Sequence, residues 1–266
     1  MPPQPILIEI KSANINSTSC CGIKDPNHPG LAAKRAWLQT HLSLGLKAKT
    51  LIDEDGSPCG YIEYLPGEYA WRGVEARGYM FIHCIWNHSQ RNRGKGWGSA
   101  MINSCISDAR ATGMNGVAVM TRKGPWLAGA ELFHANDFRL VDTVSPDYQL
   151  WVHKLNPNVP DPAFRKDHAS KAACLKDELT IVCSSQCPYV AKFTAEISDA
   201  ARRDYGMTPT IVELKSHRDA QDASTPYAVF SILSCGRVLT DHQISRTRFH
   251  NIMRSVCAKT RGPFTP

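Results

Sequence analysis

The period of the apolar positions changes repeatedly along the chain, and each change marks an element. In the stretch KAKTLIDEDGSPCGYIEYL, residues 47–65, TLID and CGYIEYL read as strands joined by an EDGS turn, which makes a hairpin. YMFIHCIW, residues 79–86, is a dense apolar and aromatic run, expected as a central strand covered on both faces. Ala100, Met101, Cys105, Ile106 and Ala109 then recur at helical spacing, with Gly113 as the stop. GVAVMT (116–121) follows as a short strand, WLAGAELFHANDF (126–138) as a helix, and RLVDTV and YQLWVHKL as two further strands.

Texture changes at residue 156. NPNVPDPAFRKDHASKAA, residues 156–173, holds three prolines among polar residues and reads as a linker. Beyond it, LTIVC is a strand, PYVAKFTAEISDAARRDYG a helix, and TPTIVELKS, TPYAVFSIL and GRVLTDHQIS are strands before a closing helix, RTRFHNIMRSVCAK. The pattern predicts two units: residues 1–156, then a linker over 157–175, then a smaller α/β unit over 176–266.

Composition narrows the class. With 266 residues, 42% hydrophobic and 21% charged, the chain can bury a substantial core. A formal charge of +7 suits a polyanionic small ligand, and no dense basic run interleaved with aromatics points to nucleic acid. No uninterrupted apolar run reaches membrane-spanning length, and the first residues lack a secretory pattern. Ten irregularly spaced cysteines, several inside apolar runs, fit reduced thiols. A cytoplasmic protein is the expectation, with the oligomeric state left open.

The chemistry concentrates in SQRNRGKGWGSA, residues 89–100. Helix N-termini expose unpaired N–H groups with partial positive charge, and Arg91, Arg93 and Lys95 add full charges, so the stretch reads as a phosphate cradle. The glycines at 94, 96 and 98 fit neither a Walker A loop nor a dinucleotide fingerprint. The stretch resembles the Arg-x-x-Gly-x-Gly signature of the GNAT acetyltransferase superfamily, as Arg93, Gly96 and Gly98. Together with CCGIK, GYIEYLPGEYAW, GYMFIHCIW and GVAVMTRKGPWLAG, it is similar to GNAT proteins that carry a C-terminal YoaP-like domain.

That resemblance implies an α+β GNAT domain, a mixed sheet flanked by helices, followed by a smaller thioredoxin-like α/β domain. It implies acyl-coenzyme A, in particular acetyl-CoA, as the donor. The pyrophosphate would lie on Arg93, Gly94, Lys95, Gly96, Trp97, Gly98 and Ser99, and the pantetheine arm along Trp86, Asn87 and His88. The implied activity is N-acyl transfer to a small-molecule amine. Such chemistry needs a neutral amine and a route for its proton. His83, Glu63 and Glu68 are the candidate bases. Glu63 shares a strand face with Tyr61, while Ile62 and Tyr64 point the other way. Where many GNAT enzymes have a Leu-Tyr pair, whose tyrosine protonates the thiolate, this chain has Leu132-Phe133; Tyr148 or His134 is then the candidate acid. KGPW replaces a common pantetheine-binding Asn, and Asp137 stands where a glycine is expected. Cys20 and Cys21 fall where the superfamily lines its acceptor pocket.

In the second unit, Cys187-Pro188-Tyr189 at a helix start resembles the opening of a glutaredoxin motif, with Val190 at its fourth position and Thr225-Pro226 placed like that fold's cis-proline. A cysteine at a helix N-terminus can have a stabilised thiolate, which Cys183 or glutathione would then resolve; because the standard C-x-x-C is missing, a degenerate thioredoxin-like domain used for substrate or partner binding is the favoured expectation. A second reading is a thiol redox or soft-metal-binding protein acting through Cys187, with a regulatory acyl-CoA-sensing domain. No spacing indicates a zinc site.

Overall fold

The structure is a computed structural model that describes residues 6–87 and 94–260, with side chains to 256. His88 and Arg93, two of the expected coenzyme contacts, lie outside the described residues, as does Arg91.

The first sheet runs in the order β1 (Ile6–Glu9), β2 (Lys47–Ile52), β3 (Pro58–Gly67), β4 (Val74–Asn87), β5 (Gly116–Thr121), β7 (Tyr148–Lys154), β6 (Arg139–Val144). Only β4 and β5 pair in parallel there. The hairpin, the central strand and the two closing strands match the periodicity. On β3, Tyr61 and Glu63 face α1 (Leu31–Leu42), while Ile62 and Tyr64 pack in a cluster with α2 (Trp97–Ala111). The expected face-sharing therefore holds, and each face of β3 meets a helix. β3 and the middle of β4 are buried on both sides for that reason.

Helix α1 escapes the pattern because its buried face mixes Leu31, Trp37 and Leu38 with Lys34 and His41. Burying each large apolar side chain contributes about 1.5–3 kcal/mol, which is enough to hold the helix without a clean apolar stripe. The helix predicted over 126–138 is shorter: α3 spans only Ala130–His134, and Trp126 precedes it with φ +78°. The stretch read as a linker is structured. Ala163–Phe164 (β8) pairs with Val74 and Glu75 of β4, and His168–Ala173 forms α4. The Phe164 N–H donates to the Asp142 carboxylate and the Arg165 N–H to the Gly73 carbonyl, so part of the run's backbone is paired on the sheet.

The second sheet has the order β10 (Thr210–Leu214), β9 (Thr180–Ser184), β11 (Phe230–Ser234), β12 (Arg237–Thr240). Strands β9 and β10 are parallel; β11 runs antiparallel to both β9 and β12. Helices α5 (Val190–Tyr205), α6 (His217–Gln221) and α7 (Arg246–Thr260) complete this half. The strands beginning at Thr225 and Gly236 are shorter than expected. The Thr225–Pro226 bond is not cis; among the described residues the cis bond is Ser145–Pro146. Two apolar clusters run through both sheets, joining Ala70, Val74 and Phe81 to Ile181, Val229 and Phe230, and Trp37 and Trp71 to Val182 and Leu233. No helix among the described residues is long and apolar enough to cross a membrane.

Candidate active site between the two halves

A bulge in β4 builds the site. In the β3–β4 ladder Glu63 pairs with Cys84 and Tyr64 with Ile82, so His83 is an extra residue with no partner across the ladder. A bulge of this kind bends its strand and re-aims a side chain. The parallel ladder to β5 ends at the same place, on Ile82 and Val119, although β4 continues to Asn87 and β5 to Thr121. The two strands part there, leaving a wedge at the centre of the sheet.

On one side of the wedge, α2 begins at Trp97 after Gly96, whose φ of +72° is the left-handed conformation that glycine adopts without strain. No side chain caps this helix start, so first-turn N–H groups are available to an anion. A Cβ built on Gly94 or Gly96 would meet no atom of a described residue within 4 Å. Lys95 lies over the Trp97 ring at 4.5 Å, and Ser99 Oγ accepts from Asn136 at 3.0 Å. Trp86 and Asn87 end β4.

On the other side, a cavity of about 520 Å³ opens between the two halves. Its floor is the end of β4, from His83 to Asn87, with Arg72 and Cys21. Trp126, Leu127 and Ala128 line it after β5, and Gln186 to Tyr189 with Tyr227 close it from the second half. Gly30 seats the N-terminal segment against that closing loop: a Cβ on it would fall 1.7 Å from the Pro188 carbonyl oxygen.

A charged network lies under the cavity. Lys34 Nζ sits 2.5 Å from Glu63 Oε2, both side chains fully buried, and also donates to the Gln186 carbonyl at 2.5 Å. Tyr61 donates to the same Glu63 oxygen at 2.6 Å, and Gln186 Nε2 donates to the other at 2.9 Å. Burial opposes the Lys34 charge, yet the Glu63 carboxylate outweighs it and holds the ammonium above its ordinary range. Arg72 donates to the carbonyls of Trp71 (2.6 Å) and His83 (2.9 Å) and to Gln186 Oε1 (3.1 Å), and its guanidinium lies 5.0 Å from the Tyr227 ring centre.

This geometry reassigns the expected catalytic residues. Glu63 has both oxygens engaged and no exposure, so it is a structural ion-pair partner rather than a base. Glu68 accepts from the Gly78 N–H at 3.4 Å and does not line the cavity. Tyr148 is buried beneath Arg122 and hydrogen-bonded with Asp241, also off the cavity; burial raises its hydroxyl. His134 is exposed beside Trp151. Phe133 packs on Phe138 in the core and offers no proton. His83 does line the cavity, but its Nε2 accepts the Trp71 N–H at 2.8 Å. Burial, with Arg72, Lys34 and His41 nearby, holds the ring well below its ordinary range. The neutral ring therefore carries its proton on Nδ1 and acts as a donor, not a base.

The cysteines are placed differently from the expectation of an activated thiol. Cys187 lines the cavity three residues before α5, where burial outweighs the Tyr189 backbone hydrogen bond and pushes the thiol up. Burial likewise pushes Cys183 up to about 11. Both are free thiols. Cys21 lines the cavity and Cys20 is buried behind it. No group of three or more side chains placed to hold a metal occurs among the described residues. Sequence reading missed Arg72, Gln186, Tyr189 and Tyr227 as site residues; Arg72 directly follows GYIEYLPGEYAW, one of the segments that carry the GNAT resemblance.

Residues 18–128 match the family model described as acetyltransferase (GNAT) family. The likeness to the GNAT acetyltransferase family thus lies in the N-terminal half. Across 253 residues the chain is 27% identical to "Uncharacterized N-acetyltransferase YoaP" of Bacillus subtilis (strain 168), which covers 94% of this chain and 98% of that one. Among solved structures it is similar to yncA, a putative acetyltransferase from Salmonella typhimurium with its cofactor acetyl-CoA (18% identity, 60% of this chain and 99% of that chain, TM-score 0.42). It is also similar to a GNAT phosphinothricin acetyltransferase from Sinorhizobium meliloti in complex with AcCoA (17%, 57% and 89%, TM-score 0.41).

Proposed function

We propose that this chain is an N-acetyltransferase that uses acetyl-CoA as donor and acetylates a small amine held in the cavity between its halves. The observation that carries this reading is the parting of β4 from β5 beyond Ile82 and Val119, next to the uncapped start of α2. A wedge there would take the pantetheine arm in β-type pairing along Trp86 and Asn87, while the first turn of α2 and Gly94 to Ser99 hold the pyrophosphate. The acetyl carbon then reaches the end of β4, where the 520 Å³ cavity begins.

No Asp or Glu lines the cavity among the described residues, so the amine proton leaves to water. Burial raises the Tyr189 and Tyr227 hydroxyls, which line the cavity and stay protonated at neutral pH. They are the groups able to protonate the departing thiolate in place of Phe133. The second half, in this reading, is a thioredoxin-like domain that supplies one wall of the acceptor pocket. Its sheet order, with the first two strands parallel and central β9 flanked by β10 and β11, supports that reading. The free cysteines among the described residues fit work in the reducing cytoplasm.

Calorimetric titration of acetyl-CoA tests the reading, with wild type compared to Gly96→Glu. The variant strains a φ of +72° and adds a repelling charge, and its Cβ meets no atom of a described residue within 4 Å. Micromolar binding lost in the variant is the expected result. A wild-type protein that binds no acetyl-CoA would falsify the acetyltransferase reading.

A further inference from the structure

The buried charges beside the cavity do not sum to zero. Lys34 and Glu63 cancel, both with fully buried side chains. Arg72, only 2% exposed, has three neutral acceptors and no carboxylate partner among the described residues. A guanidinium stays ionised in any protein interior, and a buried cation without a counter-ion is costly. Glu63 cannot serve, since Lys34, Tyr61 and Gln186 already hold its oxygens.

The donors of Arg72 can be counted. Nη1 gives its two hydrogens to Trp71 and Gln186, and Nη2 gives one to His83. One Nη2–H and the Nε–H remain without a partner among the described residues. Both are hydrogens that a carboxylate can accept, and a guanidinium is the side chain whose fixed donors suit that group. His83 offers a second, independent sign. It is 4% exposed, lines the same cavity, and its buried Nδ1 also has no partner. Because Nε2 already accepts the Trp71 N–H, the unsatisfied Nδ1 is a donor. A buried donor without a partner on His83, in the cavity that Arg72 also lines, marks a place for an acceptor that the described residues do not provide.

We infer that the acceptor is an amino acid, with its carboxylate bound by the remaining donors of Arg72 and by His83 Nδ1, and its amine directed toward the parting of β4 and β5. The inference rests on the acetyltransfer reading and specifies its substrate class. The remaining walls indicate the side chain. Trp126, Tyr189 and Tyr227 are aromatic and Cys187 is a neutral thiol, so an apolar aromatic or thioether side chain is favoured over a charged one.

The test compares matched acceptors on the wild-type enzyme. Phenylalanine, phenylalaninamide and 2-phenylethylamine form one set, and methionine with its amide and decarboxylated amine another. The remaining common amino acids are tried singly. Turnover is read as loss of thioester absorbance, acetyl-CoA affinity by calorimetry, and acceptor binding by the rise in melting temperature. The expected result is a kcat/KM for the acid roughly 100-fold or more above that for its amide, since a site built for a charged group rejects analogues lacking it. In Arg72→Gln this acid-to-amide ratio falls toward one while acetyl-CoA affinity holds, a change that a purely structural role would not produce. If Arg72→Gln does not fold, the wild-type ratios still decide. Amides or decarboxylated amines used as well as acids would overturn the inference. So would a protein that binds acetyl-CoA but is neither turned over nor stabilised by any acid tried. A protein that binds no acetyl-CoA overturns the acetyltransfer reading and this inference with it.

Discussion

Gln186, in the loop after β9, donates its amide to the Glu63 carboxylate on β3 at 2.9 Å, across the boundary between the two halves. Its other amide atom, Oε1, accepts from Arg72 at 3.1 Å, so one neutral side chain spaces a buried anion from a buried cation. The cavity is therefore not a cleft in one domain with a neighbour nearby. It is formed by the end of β4 and residues around it together with Gln186 to Tyr189 and Tyr227 of the second half, held in register by a shared polar network.

Removing one charge from that network should be expensive. Lys34→Met leaves Glu63 buried without its cation and frees the Gln186 carbonyl, and breaking a buried pair from one side costs about 3–5 kcal/mol. The double replacement Lys34→Met with Glu63→Leu should recover part of the loss. Urea denaturation of the three proteins measures this, and equal stability of Lys34→Met and wild type would contradict it.

A second bridge between the halves is sensitive to acid. Burial alone would raise the Asp241 carboxyl, but His242 and Arg122 hold it at about 2, against an ordinary value of 3.8. Arg122 donates to it at 2.7 Å. A depressed carboxyl contributes stability that is complete above pH 3.8 and is lost as the pH falls through about 2. The contribution is about 2 kcal/mol, since each tenfold change in proton affinity between the folded and unfolded chain is worth roughly 1.4 kcal/mol. The stability difference between wild type and Asp241→Asn should be level at neutral pH and shrink across that window.

Gly30 should be intolerant of any side chain. Its Cβ position lies 1.7 Å from the Pro188 carbonyl oxygen, a backbone atom that cannot swing aside. Gly30→Ala is expected to cost about 1–3 kcal/mol, as overpacking does, and to raise the acceptor KM while acetyl-CoA affinity stays unchanged. An unaltered melting temperature and KM would show that the loop contact has no role.

Cys187 should behave as an ordinary, half-buried thiol. Its burial-raised thiol remains protonated at neutral pH, so alkylation by iodoacetamide should be slow at pH 7 and accelerate as the pH rises above 9. Acetyl transfer should survive Cys187→Ser within a few fold. Fast alkylation at pH 7 would restore the redox reading.

Much of the fold was legible in local pattern. The strand at Tyr79–Trp86, the hairpin before it and the helix after the glycine loop each follow from apolar period and turn chemistry, both set by near neighbours. Helix α1 was not legible, because Lys34 and His41 occupy its buried face and break the stripe. The stretch over 157–175 misled for the opposite reason: prolines and polar residues look like tether, yet Ala163–Phe164 finds an edge of β4.

The sequence by itself determined the period of the elements, the glycine loop before α2 and hence the acetyl-CoA expectation, since these depend on residues a few positions apart. Only the tertiary structure decided which candidates share a site. Lys34 and the Gln186 carbonyl are 152 positions apart in the chain, and Glu63 and Gln186 are 123 apart. Glu63 became a structural anion, and Arg72 a cation lacking one, through burial and charge balance between segments with no local signal of each other. Those are properties of the packed chain, because the cost of an unpaired charge exists only once water has been excluded from around it.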